Sequence, residues 1–196
     1  MKNLRKSQHE KESVSKLRII GGVWRSRKIR FLSLPGLRPT PNRIRETLFN
    51  WLTPAVRGAR CLDLFAGSGA LSFEALSRGA QAAVMIDQSP EIIAVLQENA
   101  ALLKTNAAEF YCATFPQGLE QLHLTPFDIV FLDPPFRQQL LASCCQWLEQ
   151  HHWLKPNALI YIEAEAELEP LPIPSHWQVL HSKKAGAVGY YLLKTS

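Results

Sequence analysis

CLDLFAGSGALSFEAL, residues 61–76, decides the fold. Its first half is apolar and carries Asp63 near the strand end, and its middle, Gly67-Ser68-Gly69, permits a tight turn. Its second half has helical composition. A buried strand that turns through glycines into a helix lets a ligand approach backbone N–H groups at a helix N-terminus. A dinucleotide fingerprint needs Gly-x-Gly-x-x-Gly, but the last position is Ser72, which argues against a nicotinamide site.

Working outward, strand and helix patterns alternate. ARCLDLF (59–65) is followed by a helix over about 70–78, then by the strand AAVMID (82–87). A helix over 90–103 shows Ile92, Ile93, Leu96, Ala100 and Leu103 on one face, and EFYC (109–112) is a short strand. FDIVFLD (127–133) is a continuous apolar run bounded by acids, as expected of a strand buried on both faces. A helix over 137–150, the strand ALIYIEA (158–164) and two final strands turning near Ala185–Gly186 complete the chain. This order predicts an α/β fold: a mostly parallel sheet covered by helices, with an antiparallel C-terminal hairpin.

Upstream the pattern differs. KIRFLSL (28–34) alternates Lys28 and Arg30 with Ile29 and Phe31, and LRIIGGV (17–23) is its expected partner across a turn containing Gly21 and Gly22. A turn at 34–36 leads to a helix capped by Thr40, with Pro41 at its first position and an apolar stripe of Ile44, Leu48, Trp51 and Leu52. The expected domains are a polar, disordered basic tail (1–16), a basic β-hairpin extension (17–36) and one main domain (37–196).

Charge is divided unevenly. Residues 1–60 hold 15 Lys and Arg against 3 Asp and Glu, whereas residues 61–196 hold 7 against 14. A basic, arginine-dominated arm on an acidic body points to a polyanion, because the guanidinium fork suits phosphates and bases. The candidates are Arg18, Arg25, Arg27, Lys28, Arg30, Arg38, Arg43 and Arg45. No apolar run approaches the roughly 18 residues of a membrane span, and the N-terminus lacks the apolar segment of a secretory signal. Cys61, Cys112, Cys144 and Cys145 have no CxxC spacing and read as reduced, buried thiols in a cytosolic protein; no metal site is expected.

Two further acids carry chemistry. Asp87 closes the second strand of the α/β region, where a carboxylate can accept both hydroxyls of a ribose. LDPPF places Asp133, Pro134, Pro135 and Phe136 after the most apolar strand. The amine of a nucleobase is a poor nucleophile because its lone pair is delocalised into the ring. Two acceptors aimed at its hydrogens, the Asp133 carboxylate and the Pro134 carbonyl, would localise that pair toward an electrophile. The proline pair fixes the carbonyl outward, and Phe136 can stack on the base.

DLFAGSG resembles the cofactor loop of class I methyltransferases, and Asp-Pro-Pro-aromatic is similar to the motif of amino-methyltransferases acting on adenine, guanine or protein glutamine. The strings RIIGGVWRSRK, GLRPTPNRIRETLFNWL, DLFAGSGALSFEALSRGA, LDPPF and KKAGAVGYYLL occur together and in order. On them the chain resembles the RsmD family of 16S ribosomal RNA guanine-(N2)-methyltransferases, from about residue 17 onward. The resemblance implies a seven-stranded class I fold with a basic N-terminal β extension. It also implies methylation of one guanine, position 966 of the rRNA, from S-adenosyl-L-methionine without metal. Asp63, Phe65, Gly67, Ser68 and Gly69 would hold the methionine end of the cofactor and Asp87 its ribose. Asp133, Pro134 and Phe136 would act on the guanine, with Pro135 beside the RNA.

Two positions depart from the family. Ser26 stands where glycine is common. Cys112-Ala113-Thr114 replaces the acid or amide that often reads the adenine, leaving that contact to backbone or to Thr114. The expected partner is 16S rRNA within the small subunit or a late assembly intermediate, met by a cytoplasmic monomer. An adenine or glutamine methyltransferase, and a non-catalytic RNA-binding assembly factor, are the competing readings.

Overall fold

The computed structural model describes residues 13–33 and 39–196. The turn expected at 34–36, Arg38 and most of the expected tail lie outside them. Ser13–Lys16, read as tail, instead begin strand β1 (Ser13–Arg18), which pairs antiparallel with β2 (Lys28–Ser33). The alternation there is real: Val14, Lys16 and Arg18 are exposed, while Ser15 and Leu17 turn inward. Ser15 is polar and meets the Ser33 hydroxyl at 2.7 Å, so hydrophobicity does not mark the strand.

The remaining strands form one seven-stranded sheet. In chain order they are β3 (Arg60–Asp63), β4 (Ala82–Asp87), β5 (Ala108–Cys112), β6 (Phe127–Leu132), β7 (Leu154–Glu165), β8 (Gln178–Ala185) and β9 (Val188–Lys194). The spatial order is β5-β4-β3-β6-β7-β9-β8. Strands β3 to β7 are mutually parallel; β9 enters antiparallel between β7 and β8. From β3 the chain steps outward through β4 and β5, then returns to lay β6 on the other side of β3. That reversal opens a crevice at the carboxyl ends of β3 and β6, where such sheets bind ligands.

Helices α1 (Asn42–Leu52), α2 (Ala70–Ser77) and α3 (Pro90–Leu103) share one apolar core with the hairpin. Helix α4 (Leu140–Gln150) and the Trp153 and Trp177 segments form the second core on the other face. All eight residues of α2 are buried, so it is a core helix enclosed on every side.

The hairpin is locked to α2 by polar groups. Glu74 accepts from the backbone N–H of Ile20 and Gly21, both at 2.8 Å, and from Arg78 Nε. Gly22 has φ 75°, and a Cβ there would strike the Ser77 carbonyl, so these glycines serve close packing as well as the turn. Ser26 also lies in the left-handed region, at φ 70°, which explains why glycine suits this position.

Arg45, expected at the RNA surface, lies in the interior. It is fully buried, donates to the Arg18 carbonyl and to Asn42, and lies 3.6 Å from Glu74. Its position one turn into α1 aims it between hairpin and α2, beside the Glu74 carboxylate. Burial lowers its pKa, and the charge of Glu74 opposes that shift. The expected cap is also absent. Pro41 stands at the N-cap of α1, and the Thr40 hydroxyl donates to Glu163 instead, because Thr40 is drawn down onto the sheet.

Cys61, Cys144 and Cys145 are buried as expected, but Cys112 is exposed, since β5 is an edge strand. Among the described residues no helix is long and apolar enough to cross a membrane, and no cluster of ligating side chains could hold a metal ion.

Candidate active site

Four acids reach the carboxyl end of the sheet from neighbouring strands: Asp63 from β3, Asp87 from β4, Asp133 just past β6 and Glu163 near the end of β7. The glycine turn lies among them. The Gly67 N–H donates to Asp87 at 2.9 Å, Ala66 N–H to the Ile86 carbonyl, and Gly69 N–H to the Ala66 carbonyl. Asp87 also accepts from Ser89 N–H, while the Ser89 side chain caps α3 by accepting from Ile92 N–H. Asp87 thus fixes the turn to β4 and remains half-buried. Gly69 has φ 70°, and a Cβ on it would press into Phe73 and Leu96.

Asp63 is buried and accepts a 2.8 Å bond from the Ser72 hydroxyl. The residue that breaks the dinucleotide fingerprint therefore holds the strand-end acid. Burial pushes the Asp63 carboxyl up to about 7 against the pull of that bond. The sign follows directly: an acid whose pKa rises on folding stabilises the native state less as pH increases. The Asp63 contribution to stability without ligand should fall by on the order of 2–4 kcal/mol between about pH 4 and pH 7, with Asp133 and Glu163 acting in the same direction. Urea denaturation across that range checks it, and Asp63→Asn should flatten the decline. A pH slope left unchanged by Asp63→Asn would contradict the raised pKa of this acid.

Asp133 is half-buried and Pro134 buried, while Pro135 and Phe136 are exposed. Desolvation holds the Asp133 carboxyl well above the usual range, and the charges of Glu163 and Asp63 add to it. Pro134, Phe136 and Glu163 line a small cleft at this end of the sheet. A roomier hollow of about 500 Å³, between α4 and the 172–176 segment, contains none of these residues and does not coincide with the acids.

Thr114 is exposed just beyond β5, and the preceding Ala113 N–H donates to the Asp87 carbonyl. Phe65 is half-buried and packs against Phe115, with ring centroids 6.2 Å apart. Of the basic candidates, Arg18, Arg25, Arg27, Lys28, Arg30 and Arg43 are exposed. Arg27 is partly engaged, since its guanidinium donates to the Leu102 carbonyl. The sequence reading missed Glu163, although an acid inside the apolar run ALIYIEA repeats the signal of Asp63, Asp87 and Asp133. It also missed Ser72 as a partner of Asp63 and Glu74 as the anchor of the hairpin.

The strand order, the antiparallel strand next to the edge and the glycine turn at the switch point define the class I methyltransferase fold. A family model described as conserved hypothetical protein 95 matches residues 17–194. Ribosomal RNA small subunit methyltransferase D of Escherichia coli is 47% identical over 176 residues, covering 90% of this chain and 88% of the relative. Its counterpart of the same name from Haemophilus influenzae is 45% identical over 179 residues, covering 90% and 92%. The solved yhhF structure from Escherichia coli aligns with a TM-score of 0.83 at 46% identity, covering 93% of this chain and 99% of that one. The chain belongs to the RsmD family.

Proposed function

We propose that this chain transfers a methyl group from S-adenosylmethionine to the exocyclic 2-amino group of guanine 966 in small-subunit ribosomal RNA, as a cytoplasmic monomer acting on the subunit or a late assembly intermediate. The observation that carries the reading is Asp133-Pro134-Pro135-Phe136 at the switch point, beside buried acids and the glycine turn.

The residues present fit the cofactor. Asp63 is a buried acid without a basic partner among the described residues, as a site for an ammonium group requires. The Gly67–Gly69 turn brings backbone close to a ligand, and Asp87 offers a half-buried carboxylate to ribose hydroxyls. Phe65, Ser68 and Thr114 would border the same cofactor. When bound, S-adenosylmethionine supplies an electrophilic methyl on sulfur and leaves as S-adenosylhomocysteine.

The chain's own part is positioning. The Asp133 carboxylate and the Pro134 carbonyl accept the two amine hydrogens and confine the nitrogen lone pair to one direction. A positive charge among these crowded acids favours their ionised forms, which readies Asp133 as an acceptor. After transfer the nitrogen carries a surplus proton, and a carboxylate of raised pKa is suited to take it. Phe136, 39% exposed, offers its ring to the base, and Pro135 borders the RNA.

Arg18, Arg25, Arg27, Lys28, Arg30 and Arg43 would meet the RNA backbone. Replacing Lys28 and Arg30 with alanine should weaken subunit binding and reduce the salt dependence of log Kd by about 1–2. Filter binding over a range of salt concentrations checks this, and an unchanged slope would remove the hairpin from the interface. The reaction itself is tested with labelled cofactor and small subunits from a strain lacking the modification, the methylated nucleotide then being mapped by mass spectrometry. Label on a guanine 2-amino group is expected; label on adenine or protein would overturn the reading.

A further inference from the structure

We propose that Glu163 selects guanine by accepting the N1–H of the base whose amine Asp133 holds. This rests on the guanine reading above and names the residue that enforces it. Leu132 of β6 pairs with Ile162 of β7, so Asp133 and Glu163 emerge side by side from adjacent parallel strands. Strand spacing of about 4.8 Å lets two such carboxyls address neighbouring groups of one ring.

Glu163 is only 4% exposed, and both bonds it accepts from described residues fall on Oε1: Thr40 at 2.8 Å and Tyr161 at 2.9 Å. Oε2 accepts none from the described residues, yet Glu163 lines the cleft with Pro134 and Phe136. A carboxylate oxygen at the edge of that cleft can accept an N–H from a ligand that enters it. Guanine alone among the standard bases sets a ring N–H beside an exocyclic amine. Adenine and cytosine set an acceptor nitrogen there, which would face the carboxylate lone pairs. Thr40 and Tyr161 act as positioning residues that orient Glu163 from the segment before α1 and from β7.

The test uses reconstituted small subunits carrying guanine or 2-aminopurine at the target position. 2-Aminopurine keeps the reacting amine but replaces N1–H with a lone pair. The wild-type chain should favour guanine by roughly 10- to 100-fold in kcat/KM. Glu163→Gln, whose amide can turn its NH2 toward N1, should narrow that ratio to about 3-fold or less. Unchanged cofactor affinity by calorimetry would show the variant folded. If Glu163→Gln slows both substrates equally and leaves the ratio intact, Glu163 only supports Asp133 and the proposal is wrong. If the wild-type chain methylates neither, the guanine reading fails and this inference fails with it.

Discussion

Asp133→Ala should lower kcat for methyl transfer by roughly 10³-fold while cofactor affinity changes little. The alanine removes one of two acceptors that localise the amine lone pair. The Pro134 carbonyl remains, but a single acceptor leaves the amine free to stay conjugated with the ring. Asp63, the glycine turn and Asp87 are untouched, so cofactor binding should persist. Asp133→Asn tests the argument more finely. It keeps one acceptor oxygen and loses the charge, and should fall between wild type and alanine. Single-turnover rates on small subunits, with calorimetric titration of the cofactor alongside, separate the two effects. Near-normal turnover in Asp133→Ala would remove Asp133 from the chemistry.

Glu74→Ala should destabilise the fold by about 3–5 kcal/mol, measured by urea denaturation. Glu74 has a fully buried side chain and takes two backbone N–H groups of the hairpin loop, besides Arg78. Its removal strands the buried Arg45 guanidinium and two donors at once. The loss should fall first on residues 19–27, whose amides would exchange early. A change below about 1 kcal/mol would mean that apolar packing, through Ile19 and Ile29, holds the hairpin without this acid.

The α/β region was legible because its physics is local. Apolar runs of strand length, each followed by a turn and an amphipathic or apolar helix, admit few arrangements. Acids at three strand ends became meaningful once the strands were parallel and in order. What the sequence hid depends on contacts between distant residues. Arg45 looks like its neighbour Arg43, and only the packing of the hairpin and α2 over one face of α1 buries one and leaves the other exposed. Thr40 has the composition of a helix cap, yet a carboxylate 123 positions away captures its hydroxyl. Val14 to Leu17 alternate in exposure, but Ser15 on the inward side conceals the strand from any hydrophobic pattern.

The same contrast explains the site. Asp63, Asp87 and Asp133 stand beside motifs with recognisable spacing, whereas Glu163 has no motif of its own. Its importance comes from register, since β7 lies beside β6 and brings it next to Asp133. Desolvation dominates the pKa shifts of Asp63, Asp133 and Glu163 alike. An acidic cluster of this kind is costly until cationic or hydrogen-donating ligands enter it.

The most direct measurement is a crystal structure with S-adenosylhomocysteine and a guanine-containing RNA fragment. The guanine 2-amino nitrogen should lie about 2.7–3.2 Å from both the Asp133 carboxylate and the Pro134 carbonyl oxygen. Asp133 turned away from the base, or the base amine bound by other groups, would contradict the account.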